Sequence, residues 1–196
     1  MDGGAELLAA HERASSGTLP SLSTGASGPR WSPAGKRLAL ESRVYPGATS
    51  DEENAEEKKA REERGYNAST YEIFPIRQWN RWRDDLQTHV FVQDAEAGAE
   101  AKDLMAGTEF VSQPGYAGVP SLSGESLLPE WTPDGRALVI SATTNLDDAA
   151  HDRTHYHLYK LADTGGEPEA LTGGDEWSCH TAKFSPDGNS LFCLYI

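Results

Sequence analysis

One short unit occurs three times in this chain, as WSPAGKRLAL at 31–40, WTPDGRALVI at 131–140 and FSPDGNSLFC at 184–193. In each copy an aromatic residue closes one strand and Ser/Thr-Pro opens a turn, because proline presets φ. Gly35, Gly135 or Gly188 then supplies the position where φ can be positive. An alternating strand returns, with its apolar positions at Leu38 and Leu40, Leu138 and Ile140, and Leu191 and Cys193. A turn flanked this way commits the chain to antiparallel hairpins. Gly (19) and Pro (11) recur at short intervals and only 37% of residues are hydrophobic, which favours short strands over long helices. The predicted fold class is all-β.

A second unit follows the first. HVFVQDAEAGAEAKDLM (89–105) and HLYKLADTGGEPEALT (157–172) each read as strand, Gly-containing turn, strand. Two hairpins in succession make a four-stranded antiparallel meander, the blade of a β-propeller. The expected organisation is a single partial β-propeller over 1–196. Residues 1–26 end a preceding blade, including a strand near 2–8, and link it to the next. A blade over 27–105 carries an insertion at about 42–87, a second spans 126–172, and a third is cut short over 177–196. A ring needs about four blades or more to close, so the expectation is an interior piece of a longer protein, two complete blades with partial ones at both ends.

Charge removes several function classes. With 31 acidic and 17 basic residues the net charge is -14, a surface that repels polyphosphate, so no nucleic-acid partner is expected. No stretch approaches the roughly 18 apolar residues of a membrane span, and residues 1–16 lack the basic and apolar regions of a signal peptide. The chain as written is expected to be soluble and unexported, without a membrane partner. Cys179 and Cys193 flank the third turn. Uninterrupted pairing about it sets Cys193 opposite Ala182 and leaves Cys179 facing the chain end, so both are expected to be free thiols.

The insertion is the distinctive segment. DEENAEEKKAREER (51–64) is dense in helix formers with acidic-to-basic pairs at helical spacing, such as Glu53 and Glu57 leading to Arg61, and is expected to be an exposed helix. YEIFPIRQWNRWRDD (71–85) then concentrates Tyr71, Phe74, Trp79 and Trp82 with Arg77, Arg81 and Arg83. Aromatic rings beside guanidinium groups build a stacked, partly polar surface able to hold a peptide or a carboxylate, or alternatively a packed interface. Arg77, Trp79, Arg81 and Trp82 are the candidate substrate-facing residues.

The order SRVYPG, charged helix, FPIRQWNRW, THVFVQD resembles the propeller of bacterial dipeptidyl and acylaminoacyl peptidases of the prolyl oligopeptidase family, as do the SLSG segment at 121–124 and the GGEPEALT strand. Gln78 stands where that family often has His, Asn80 where it often has Asp, and His157 where it often has Asp. The neighbourhood of Ala48 lacks the cysteines of many exported relatives. The resemblance implies a propeller that covers the mouth of an α/β-hydrolase domain, excludes folded proteins and admits short peptides. The partners it implies are that hydrolase domain and the peptides, in a cytoplasmic or periplasmic parent. No Gly-x-Ser-x-Gly nucleophile elbow occurs here, so the chain itself is expected to have no catalytic residues. The rival is a stand-alone TolB-type propeller acting as a protein-binding module; a truncated, inactive product is a third reading.

His151-Asp152-Arg153-Thr154-His155-Tyr156-His157 brings three imidazoles near a carboxylate, a combination suited to zinc, but His151 falls in a loop. The segment reads as a polar loop entering a strand, and no metal site is assigned. No phosphate loop or dinucleotide fingerprint follows a predicted strand, so no cofactor is expected.

Overall fold

All three repeated turns close with the same hydrogen bonds. The N–H of Ser32, Thr132 and Ser185 donates across the turn to the carbonyls of Arg37, Ala137 and Ser190 at 2.9, 2.9 and 2.8 Å. The glycine N–H donates back to the Ser/Thr carbonyl at 2.8, 2.8 and 2.9 Å, with glycine φ of 66, 66 and 71°. The hydroxyl oxygen of each Ser/Thr accepts the N–H five residues on, at 3.1, 3.1 and 3.0 Å. That bond is why a hydroxyl residue precedes each proline. Asp134 and Asp187 reinforce their turns by accepting from Thr132 Oγ1 (2.6 Å) and Ser185 Oγ (2.5 Å), and from the N–H of Arg136 and Asn189 (3.1 Å each). These bonds, the hydroxyl's first, hold both carboxyls below their ordinary range. Ala34 offers the first turn no such acceptor.

The computed structural model describes residues 22–195 apart from 67, 69, 70, 72–74, 79, 97, 122 and 123. Trp79 and the strand expected near 2–8 lie outside the described residues. Strands β1 (Ser27–Trp31) and β2 (Arg37–Val44) are followed by helix α1 (Asp51–Glu62) and the hairpin β3 (Arg77–Gln78) and β4 (Arg81–Trp82). Then come β5 (Gln87–Asp94) and β6 (Lys102–Asp103), and β1, β2, β5 and β6 form one antiparallel sheet in that order. A short helix α2 (Glu109–Ser112) leads to β7 (Ala117–Ser121), β8 (Gly124–Ser126), β9 (Glu130–Trp131), β10 (Ala137–Thr143), β11 (His157–Ala162) and β12 (Glu169–Ala170). These six strands make the second sheet, and β13 (Cys179–Phe184) pairs with β14 (Leu191–Tyr195) in a last hairpin. The protein is all-β with antiparallel pairing and one substantial helix.

One strand position of the second sheet is filled in an unexpected way. Beside β10, β9 covers one end (Trp131 opposite Leu138) and β7 the other (Gly118 opposite Ala142). Between them the chain kinks at Leu128, whose φ is 52°. Residues 106–125, to which the sequence assigns nothing regular, thus supply α2 and a β7–β8 hairpin at the end of the sheet away from the repeated turns.

Strand periodicity sorts the side chains into layers. Ala39, Val90 and Val92 of the first sheet meet Leu138, Ile140, Ala142, Tyr159 and Leu161 of the second, and Leu104, Met105, Phe110, Val111 and Tyr116 of the connection fill the space between. Leu38, Leu40, Val44 and Phe91 occupy the other face of the first sheet. Val139 and Leu158, on the other face of the second, pack against Ala182 and Phe184 of the last hairpin. Strand β10 is buried along its whole length because it has apolar neighbours on both sides.

The two cysteines are joined, which corrects the expectation of free thiols: Cys179 and Cys193 form a disulfide with Cα atoms 5.7 Å apart. The ladder starts as expected, with Phe184 opposite Leu191 and Lys183 opposite Phe192. It then slips, so that His180 faces Leu194 and Cys179 faces Tyr195. Thr181 lies in this irregular stretch at φ 60°, its N–H on Ser141 Oγ at 3.1 Å. This bulge draws Cys179 one position nearer the turn, within bridging distance of Cys193.

A carboxylate pins the two large sheets together. Glu41, buried on the face of β2 that meets the second sheet, accepts hydrogen bonds from Ser126 Oγ (2.9 Å) and the Leu127 N–H (2.5 Å). Gly28 (φ 60°) permits its approach, since a Cβ there would lie 2.7 Å from Glu41 Oε2. Burial raises the Glu41 carboxyl above its ordinary value, opposed by those two bonds and by Arg30. A raised folded-state pKa means a stability contribution that is complete below the ordinary carboxylate pKa and is lost as pH climbs through the raised value. In urea unfolding from pH 4 to 7, the difference between Glu41→Gln and the parent is expected to move in favour of the variant as pH rises; a pH-independent difference counts against this. Ala34→Asp is expected to raise the urea midpoint at unchanged slope by giving the first turn the acceptor that the other two possess.

Candidate functional site

Helix α1 is docked through polar contacts, so the reading of an exposed helix holds for one side only. Ser50 caps it by accepting the Glu53 N–H at 3.3 Å, and Glu53 reaches back to the Thr49 N–H at 2.7 Å. Asn54 is buried. Its amide donates to Ser23 Oγ (3.1 Å) and the Arg43 carbonyl (3.2 Å) and accepts from the Tyr45 N–H (2.8 Å). Arg61 bonds Glu57 at 2.6 Å, as the helical spacing predicts, and grips Asp85 with two bonds of 2.6 and 2.7 Å while lying over the Tyr45 ring. That grip draws the Asp85 carboxyl below its ordinary range. Asp84 and Asp85, which end the aromatic segment, are in this way tied to the first sheet and the helix.

The β3–β4 hairpin is held at its base. The Arg83 N–H donates to the Ile76 carbonyl at 3.1 Å, and the Arg83 guanidinium pairs with Glu125 of β8 at 2.7 Å, with both side chains largely shielded from water. Arg43, at the end of β2, bonds Asp84 at 2.6 Å and the Leu86 carbonyl at 2.8 Å, and its Nε is buried without a partner. Arg43, Arg81, Trp82, Arg83, Asp84, Gly124 and Glu125 line an open cavity of about 110 Å³.

Of the four candidates, Arg81 and Trp82 reach this cavity. Arg77 sits opposite Trp82 in the hairpin register and is exposed, while Trp79 lies outside the described residues. Trp82 is 68% exposed, with the Tyr71 ring 6.4 Å away. The guanidinium groups of Arg77 and Arg81 have no ion-pair partner among the described residues. Sequence reasoning missed Arg43, Asp84 and Glu125 because they lie on separate segments that only the fold brings together; the SLSG segment beside Glu125 was the one trace. Unpaired guanidinium groups next to an exposed indole can hold a carboxylate and stack on a planar group.

His89 is buried on Asp103 at 2.7 Å and His180 bonds the Thr181 hydroxyl at 2.8 Å; among the described residues no hydroxyl is bonded to the His89 ring and no carboxylate to the His180 ring, so neither pair extends to a triad. The His155 and His157 rings stack at 6.4 Å, and burial followed by the neighbouring His155 keeps the His157 ring below its ordinary range. Among the described residues, no three His, Cys, Asp or Glu side chains gather as a metal ion needs. No protein-family model matches the chain, and no curated protein matches it.

The Arg83–Glu125 pair is the hairpin's tie to the second sheet, so Arg83→Met is expected to loosen the hairpin and speed tryptic cleavage after Arg77 and Arg81. Unchanged cleavage places the restraint elsewhere.

Proposed function

We propose that the chain is part of a β-propeller that covers the mouth of an α/β-hydrolase domain in a serine peptidase of the prolyl oligopeptidase type. It excludes folded proteins and contacts short peptides through Arg77, Trp79, Arg81 and Trp82. The observation that carries this reading is that the repeat is geometric as well as textual. After the first turn Leu38 and Leu40 point away from the second sheet, and after the second turn Leu138 and Ile140 point toward the first, so equivalent positions face the same way along the stack. The meanders β1-β2-β5-β6 and β9-β10-β11-β12 share one strand order, as consecutive blades do. The aromatic, arginine-rich hairpin supplies the part of the resemblance that common propeller turns do not, and its unpaired cations suit a peptide carboxylate.

In this reading the catalytic serine, aspartate and histidine belong to the hydrolase domain, and the propeller contributes access and affinity. Such a role predicts KM effects: in the full-length gene product, Arg81→Ala and Trp82→Ala are expected to raise KM for chromogenic dipeptide and acyl-amino-acid substrates several-fold while leaving kcat near the parent value. The coding sequence beyond the Ile196 codon provides the direct check. A Gly-x-Ser-x-Gly motif within a few hundred codons supports the peptidase, whereas its absence favours the TolB-type binding module.

A further inference from the structure

A second and larger cavity lies on the other side of the β7–β8 hairpin, in the segment whose three histidines suggested zinc. It encloses about 270 Å³ between Val119 and Pro120 of β7, the loop Arg153-Thr154-His155-Tyr156, the segment Glu176-Trp177-Ser178, and His180 of β13. Pro120 is the cross-strand partner of Glu125, so one hairpin separates this cavity from the one beside Arg81 and Trp82.

Hydrogen bonds between neighbouring segments fix its walls. Asn145 accepts the His155 N–H at 3.0 Å and donates to the Arg153 carbonyl at 3.0 Å, which sets the loop. Ser178 Oγ accepts the Tyr156 N–H at 3.1 Å, and the Tyr156 carbonyl accepts the Cys179 N–H at 2.8 Å, so the opposite wall is tied to the loop beside the disulfide. Aromatic rings form the interior. Tyr156 and His180 meet edge to face at 6.3 Å, and Trp177, 53% exposed, stands edge-on to Tyr195 at 5.0 Å. Burial keeps the His180 ring below its ordinary range and lifts the Tyr156 hydroxyl to about 12, so both are uncharged at neutral pH. Two lining residues carry opposite charge, Arg153 and Glu176, and neither has an ion-pair partner among the described residues.

This combination selects a ligand class. A polyphosphate meets Glu176 and a chain of net charge -14. A metal ion finds no group of three suitable ligands among the described residues. A purely apolar ligand uses the rings and leaves both charges idle. A ligand with an ammonium, a carboxylate and a ring uses every feature, and a cavity of about 270 Å³ has room for one such residue. We propose that this cavity binds an amino acid with an aromatic side chain, free or as a very short zwitterionic peptide. Its ring lies among Tyr156, Trp177 and His180, its carboxylate on Arg153 and its ammonium on Glu176. The proposal needs no hydrolase domain and uses none of the β3–β4 residues, so it and the function proposed above fail independently.

The test is binding to the whole chain, followed by saturation-transfer NMR with L-phenylalanine, L-alanine, N-acetylphenylalanine and phenylalaninamide. Phenylalanine is expected to bind saturably and alanine not to. Each capped form should bind about fivefold more weakly, the scale of a solvent-accessible ion pair. Arg153→Gln should abolish the preference for phenylalanine over its amide, and Glu176→Gln the preference over its N-acetyl form. Both side chains are exposed, and unchanged unfolding midpoints verify that the variants fold. Absence of saturable phenylalanine binding, capped forms binding as tightly as the free amino acid, or variants that retain both preferences would each overturn the proposal.

Discussion

Everything else in this protein depends on the burial of one sheet face against another. Ala39, Val90 and Val92 on one side and Leu138, Ile140, Tyr159 and Leu161 on the other exclude water from the space between two four-stranded meanders, and each meander carries a smaller apolar cluster on its outer face. The polar contacts around that space set its register. Glu41 caps one edge. Arg37 of β2 reaches across to Asp163 at 2.5 Å and to the Gly135 carbonyl at 2.5 Å while lying over the Trp131 ring, and the Trp131 indole donates to the Arg30 carbonyl at 3.0 Å. Apolar area drives the sheets together, and these directional bonds choose one stacking among those that area alone would permit.

Much of the architecture was legible because strand signals are local. The Ser/Thr-Pro-x-Gly turns, the period-two alternation after each, and the Glu57–Arg61 spacing all have their physical cause within a few residues, and the structure shows the matching turns, strands and helix. The failures share the opposite property. The bulge at Thr181 depends on Ser141, forty residues earlier in the chain, receiving its N–H, so turn geometry alone could not foresee a disulfide. The β7–β8 hairpin forms where Glu125 meets Arg83 and β7 meets the far end of β10.

The candidate sites follow the same division. Composition picked out Arg81 and Trp82 because aromatic and basic residues cluster there, yet the side chains that shape their cavity, Arg43 and Glu125, stand far away in sequence. In the larger cavity the sequence pointed to the 151–157 segment, but as three imidazoles near a carboxylate suited to zinc. What gives that pocket its chemistry is Trp177 and Glu176 arriving from the approach to the last hairpin.

The long excursion between β2 and β5 bears on the order in which the chain folds. These strands pair over eight positions but are separated by the 42 residues 45–86, whereas β10 and β11 are joined by the 13 residues 144–156. Loop closure makes the first pairing costlier by about 1 kcal/mol, before the cost of ordering the excursion itself. Helix α1 offsets this by acting as a clasp: Asn54 fastens its start to the end of β2, and Arg61 fastens its last turn to Asp85, two residues before β5 begins. Once the start of the helix has docked, the loop left to close between Arg61 and Asp85 is the 23 residues 62–84. On loop closure alone the second sheet is the less costly of the two to pair first, and the ion pairs that seat the helix expose completion of the first sheet to screening by salt.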